Sequence, residues 1–113
     1  MVKKRYVPER GDLAWLDMQT QAGQKQAGRR PVLVMSPKAY NEKVGLALIC
    51  PITSKEKGYP FEVRVSHRDI AGVVLSDQIK NLDWNVRRIE FVGRIHSSTP
   101  HEVRDKLKVL LEF

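Results

Sequence analysis

A single cysteine, Cys50, denies the chain any internal disulfide framework. It sits in the apolar run Leu46-Ala47-Leu48-Ile49-Cys50, where a buried, inert thiol is expected. Histidine is scarce as well. His67, His96 and His101 are scattered, show no zinc-ligand spacing, and read as structural or solvent-facing. The glycines form neither a Walker loop nor a dinucleotide-binding fingerprint, and no Gly-x-Ser-x-Gly elbow is present. Two-metal nuclease chemistry needs clustered carboxylates. Here the acids are dispersed, and Asp12 and Asp17 flank one strand candidate with opposite facing. The expectation is a protein with no metal and no cofactor. Long apolar runs are missing too: none approaches the ~20 residues of a membrane span. The opening Met-Val-Lys-Lys-Arg leads into no signal-peptide apolar core. No membrane association is expected, and a cytoplasmic location follows as the default.

What is present is positive charge. Twenty Lys and Arg against thirteen Asp and Glu give a formal charge of +7 over 113 residues. The cations cluster as Lys3-Lys4-Arg5, Arg29-Arg30, Lys55 with Lys57, and Arg87-Arg88. Such a surface attracts polyanions, although a merely solvated basic surface has the same composition. The apolar share of 42% is high enough for a packed core, and the length fits one domain spanning 1–113.

Strand-like segments and turns alternate at short intervals. Leu13–Met18 follows the turn signal Arg10-Gly11-Asp12; Pro31–Ser36 and Val44–Ile52 are apolar runs rich in β-formers. Phe61–Val65 alternates apolar and charged residues, and Gly72–Leu75 and Ile89–Ile95 complete the strand candidates. Gln19–Arg29 is a long polar loop of the kind that more often carries function than mere connection. Lys38–Lys43 can form a short helix. The C-terminal helix is the clearest: Thr99-Pro100-His101-Glu102 has capping-box form, placing His101 at N2. Val103, Leu107, Leu110 and Leu111 then make one apolar stripe. Many short strands and a terminal helix predict a mainly β, strongly bent small barrel.

With so little catalytic equipment, the least demanding chemistry is RNA cleavage. The nucleophile, a 2′-OH, already lies beside its phosphate, so the protein need only orient the backbone, neutralise phosphoryl charge and assist proton transfer. An arginine fork and a hydroxyl donor can do much of this. Arg30 precedes Pro31, which biases it to extended geometry where the polar loop meets an apolar strand. Thr53-Ser54 ends another apolar run. Taken singly, each reads equally as an ordinary surface residue. Tyr59 and Phe61 could stack on bases, though Phe61 suits an inward position. Trp15 reads as core, and Trp84 is open between a dimer surface and a groove wall.

The order of these segments carries more than any one of them. Gln26-Ala27-Gly28-Arg29-Arg30-Pro31-Val32-Leu33-Val34 resembles the G-x-R-P-x-[LV]-V segment of the MazF/PemK toxins. Arg10-Gly11-Asp12, Tyr40-Asn41, Pro51-Ile52-Thr53-Ser54, Lys57–Val63 and Asp77-Gln78-Ile79-Lys80 follow in that family's order. The resemblance implies a compact SH3-like (CcdB/PemK-type) β-barrel with a C-terminal helix. It further implies a homodimeric, metal-independent endoribonuclease that cuts single-stranded RNA and is neutralised by an acidic antitoxin peptide. It assigns catalysis to Arg30 and Thr53, and RNA binding to Ser54, Lys57, Gln78 and Lys80. Some members carry an acid five positions before the arginine; Lys25 stands there instead, so no carboxylate base is implied from the loop. A non-catalytic nucleic-acid module and a CcdB-like gyrase poison are the alternatives, the second disfavoured by the arginine–threonine pair.

Overall fold

Apolar runs flanked by turn residues become the strands of one antiparallel sheet. The computed structural model describes residues 5–18 and 28–113. Lys3, Lys4 and most of the polar loop, Lys25 included, lie outside the described residues. In chain order the elements are β1 (Asp12–Asp17), β2 (Arg29–Val34), α1 (Lys38–Val44), β3 (Ala47–Thr53), β4 (Glu62–His67), β5 (Ile70–Leu75), β6 (Lys80–Leu82), β7 (Glu90–Arg94) and α2 (Ser98–Leu111). A 3-10 turn covers Ser76–Gln78.

The sheet runs β4-β5-β3-β2-β1-β7, with β6 also paired to β3. Strand β3 changes neighbour along one edge: Ala47–Ile49 pair with β6, whereas Ile52 and Thr53 pair with β5. That exchange bends the sheet into a half-barrel. Both faces are covered, which is why β2 and β3 read as continuous apolar runs rather than alternating ones. Leu13, Leu33, Cys50, Ile52, Val63, Ile70 and Val74 pack on one face, closed by Val103 of α2. Ala14, Leu16, Val32, Val34, Ile49 and Trp84 pack on the other.

The two end strands, β4 and β7, meet through side chains. His67 of β4 lies over Gly93 of β7, where a Cβ would run into its imidazole. Gly93 therefore lets the sheet curl until its ends touch. The Tyr40-Asn41 segment is likewise structural. Asn41 is fully buried; its amide donates to the Pro8 and Ser36 carbonyls at 2.8 and 3.0 Å. Trp84 donates its indole N–H to the Asn41 carbonyl at 3.0 Å. Trp84 is thus a core residue, neither dimer surface nor groove wall.

Two expectations for α2 change. The helix starts at Ser98, so Thr99 lies within its first turn, His101 is its fourth residue, and no side-chain cap of the expected kind forms. His96 takes that role instead, its Nδ1 accepting from the Ser98 amide at 3.1 Å. The stripe is only half used. Val103 is buried, worth roughly 1.5–3 kcal/mol for a side chain of this size, while Leu110 and Leu111 are 51% and 63% exposed. Among the described residues, no helix is long and apolar enough to cross a membrane.

Candidate nucleic-acid interface

The β2–β3 ladder runs Val32↔Pro51, Leu33↔Cys50, Val34↔Ile49. Continued by two residues, the same register sets Arg30 against Thr53, and directly opposed residues present their side chains on one face. β5 then flanks Thr53 on its other side, pairing it with Val73. This approach is close because residue 72 is glycine: a Cβ there would collide with the Thr53 carbonyl.

The two adjacent arginines are used differently. Arg29 is fixed: it donates to Asp17 Oδ1 at 2.7 Å, to the Arg88 carbonyl at 2.8 Å and to Glu90 at 3.2 Å. The Arg29 hydrogen bond, helped by Arg88 at 3.0 Å, holds the Asp17 carboxyl below its ordinary range despite desolvation. Arg30, one residue on, is exposed, and among the described residues its guanidinium has no hydrogen-bond or ion-pair partner. Its donor fork is available to a ligand. Thr53 is half-buried, and its Oγ1 accepts the Lys55 amide at 3.2 Å. That contact occupies an oxygen lone pair and leaves the hydroxyl proton to be donated outward.

Arg30 and Thr53 line an open cavity of about 650 Å³ with Ser54, Lys55, Gln78 and Lys80. Trp15, Pro31, Ile52 and Ile70 add apolar side chains to its lining, and Arg29 and Asp69 line it too. Arg30, Lys55 and Lys80 are cations without an acidic partner among the described residues, so the groove attracts anions. Among the described residues, no three His, Cys, Asp or Glu side chains come close enough to share a metal ion.

Five of the six residues singled out in the sequence therefore converge: Arg30, Thr53, Ser54, Gln78 and Lys80. Lys57 does not line this cavity. It borders an adjoining one of about 290 Å³, with Thr53, Lys55, Tyr59 and Gln78. Tyr59 is 43% exposed, donates its hydroxyl to Asp77 and packs at a tilt against Phe61, ring centroids 5.7 Å apart. Lys55, read in the sequence only as part of a basic cluster, and Asp69 also line the main cavity. Lys55 had a signal, its place two residues after Thr53; Asp69, in the β4–β5 turn, had none. Not every basic cluster faces the groove. Arg87 donates to the Asp17 and Met18 carbonyls, Arg88 pairs with Asp17, and Arg5 lies 5.1 Å over the Trp84 ring. Those cations hold the fold together.

Comparisons with known proteins point to one family. A family model described as PemK-like, MazF-like toxin of type II toxin–antitoxin systems matches residues 9–111. The chain is 42% identical over 107 residues to the endoribonuclease toxin MazF of Escherichia coli strain K12, covering 95% of this chain and 96% of that protein. Among solved structures, MazF (Form-I) from Deinococcus radiodurans superposes with a TM-score of 0.84 at 50% identity, covering 95% of this chain and 98% of that one. A MazE–MazF structure (Form-II) from the same organism gives 0.84 at 45% identity, covering 96% and 99%.

Proposed function

The chain belongs to the PemK-like, MazF-like toxins of type II toxin–antitoxin systems, and as the premise for an endoribonuclease toxin we propose that the groove between β2, β3 and β5 holds and cuts single-stranded RNA. The observation that carries the reading is that Arg30 and Thr53 line one cationic groove together. An arginine fork offers two parallel N–H donors to phosphoryl oxygens, and the threonine hydroxyl adds a third from across the ladder. These donors stabilise charge that builds as the 2′-oxygen attacks in line. The O2′–P bond forms and the P–O5′ bond breaks. The 2′ proton leaves to water in the open groove, and water gives a proton to the departing 5′-oxygen. The products are a 2′,3′-cyclic phosphate and a 5′-OH. Ser54, Gln78 and Lys80 border the same groove and bind the strand on either side of the reacting phosphate; Lys57 and Tyr59 extend it into the adjoining cavity.

The toxin's partner is an acidic antitoxin segment that occupies the same cations, a reading supported by the likeness to the MazE–MazF structure. The working unit is a homodimer, supported by the apolar residues that α2 leaves exposed near its end, Val109, Leu110 and Leu111. Its place of action is the cytoplasm, where the RNA is. The test is product chemistry. Cleavage should persist in excess EDTA and leave cyclic-phosphate ends, and an RNA with one 2′-deoxy sugar at the cleavage position should bind uncut. Cutting of that substrate would exclude 2′-OH attack, and loss of activity with chelator would implicate a metal.

A further inference from the structure

Asp69 is the one carboxylate among the residues that line the main groove. The chain segments outside the described residues cannot supply another, because positions 1–4 and 19–27 contain neither Asp nor Glu. Every other polar group there is a donor or can act as one: Arg29, Arg30, Lys55, Lys80, Gln78, Thr53 and Ser54. In a groove that holds phosphates, a carboxylate weakens the hold by repulsion. A net gain requires hydrogen-bond donors on the ligand, and in RNA those are the base edges and the 2′-OH.

Its placement decides between these. Asp69 is the second tip residue of the β4–β5 hairpin, whose last pair is His67↔Ile70. Thr53 pairs with Val73, four residues along β5 from Asp69. At ~3.3 Å per residue that sets the Asp69 backbone about 13 Å along the strand from the level of Thr53. A proton acceptor must come within about 3 Å of the hydroxyl, or one water further. With its backbone offset that far from Thr53, Asp69 is better placed to meet a nucleotide beside the reacting one than the attacking hydroxyl. The turn is held for it at a cost: Arg68 adopts φ 52°, a left-handed conformation usually left to glycine or asparagine at this hairpin position. The Asp69 side chain is exposed and has no hydrogen-bond or ion-pair partner among the described residues.

We propose that Asp69 is a specificity-determining residue that reads a nucleobase beside the cleaved bond, favouring guanine and rejecting uracil. Guanine presents N1–H and its 2-amino group as two parallel donors, matching both carboxylate oxygens. Uracil presents a single N–H between two carbonyl oxygens, which the carboxylate repels. This reading rests on the RNA-cleaving function proposed above, and the experiment separates the two. Binding is measured for short 2′-deoxy-substituted, uncleavable oligonucleotides carrying guanine or uracil at each position in turn, with the wild type and with Asp69→Asn and Asp69→Ala. At one position flanking the cleavage site, the wild type should favour guanine by about tenfold or more, and both variants should flatten that ratio while keeping their fold. An unchanged guanine-to-uracil ratio at every position would overturn the assignment. In parallel, 5′-OH ends are sequenced after incubation with a random RNA pool. The variants should still cut, with a relaxed base profile at that one position. Loss of cutting at all sites alike would instead make Asp69 part of the catalytic machinery. If even the wild type fails to cut, the cleavage reading falls, while the binding series still decides what Asp69 recognises.

Discussion

Arg30 and Thr53, twenty-three residues apart in sequence, line one cavity just beyond the Val32↔Pro51 end of the β2–β3 ladder, where its register continued by two residues would set them opposite. Their backbones lead directly into a ladder whose Val32, Leu33 and Cys50 are packed into the core. The pair is therefore set before a ligand arrives, which is the condition for donors to stabilise a transition state without reorganising. Arg30→Ala should lower turnover by at least ~10²-fold. Arg30→Lys should recover only part of it, because an ammonium cannot form the two-point fork. Thr53→Val, which keeps the shape and removes the donor, should cost less, since a neutral hydroxyl contributes less than a charged fork. Wild-type turnover in a folded Arg30→Ala protein would remove Arg30 from catalysis.

That pairing shows what could be read from the sequence and what could not. The apolar runs at Pro31–Ser36 and Val44–Ile52 announced two central strands, because each is buried on both faces. Strand β6 was missed: Lys80-Asn81-Leu82 is three residues long with two side chains exposed, so it leaves no hydrophobic pattern. Register was invisible for the same reason in reverse. An apolar run covered on both faces has no alternation to mark which residue pairs with which. Resemblance to a family supplied Arg30 and Thr53 as members of a site; only the ladder shows why they meet. Asp69 was out of reach, since Arg68 stands where a turn residue would have flagged the hairpin tip. The terminal stripe misled because periodicity reports an apolar face without saying whether this chain or another copy covers it.

Asp17 links the fold to the site. It accepts from Arg29 at the start of β2 and from Arg88, so it helps set the strand that carries Arg30. Its folded-state pKa is depressed, first by the Arg29 hydrogen bond. The resulting stabilisation is fully present above the unfolded carboxyl value of about 4 and is lost as pH falls through the lower folded value. Asp17→Asn lacks it at every pH. The urea midpoint of the variant should therefore fall below wild type near neutral pH, and the two should converge in acid. A gap that stays constant down to about pH 2 would show that the carboxylate charge contributes nothing.

Cys50 gives a direct check on the core. Burial, reinforced by the nearby Asp77 charge, pushes its thiol up to about 12. Thiolate is the reactive form, so both access and ionisation oppose modification. Iodoacetamide near neutral pH should leave the native protein unlabelled and add one group per chain in denaturant. Rapid stoichiometric labelling of the native protein would place Cys50 outside the core.

The last prediction concerns what competes for the groove. Arg30, Lys55 and Lys80 line it without an acidic partner among the described residues. Each can hold a phosphate of a bound strand, releasing counterions as it does so. At about 0.7 log unit per contact on a single strand, three contacts give a slope near −2 in log affinity against log salt. On the proposed reading an acidic antitoxin segment is recognised by the same charges, because an extended peptide can lay carboxylates along the groove at a spacing that backbone flexibility adjusts. Such a segment can be disordered when free and order on binding. Both ligands should then respond to salt in the same direction, and Lys55→Ala or Lys80→Ala should flatten both slopes by roughly a third. Because one set of cations serves both, antitoxin peptide should raise the apparent Kd of an uncleavable RNA in proportion to its concentration, with no ternary complex by native gel or light scattering. RNA and peptide bound together at full affinity would mean that they occupy different surfaces, and inhibition would then have to act through the fold rather than by overlap.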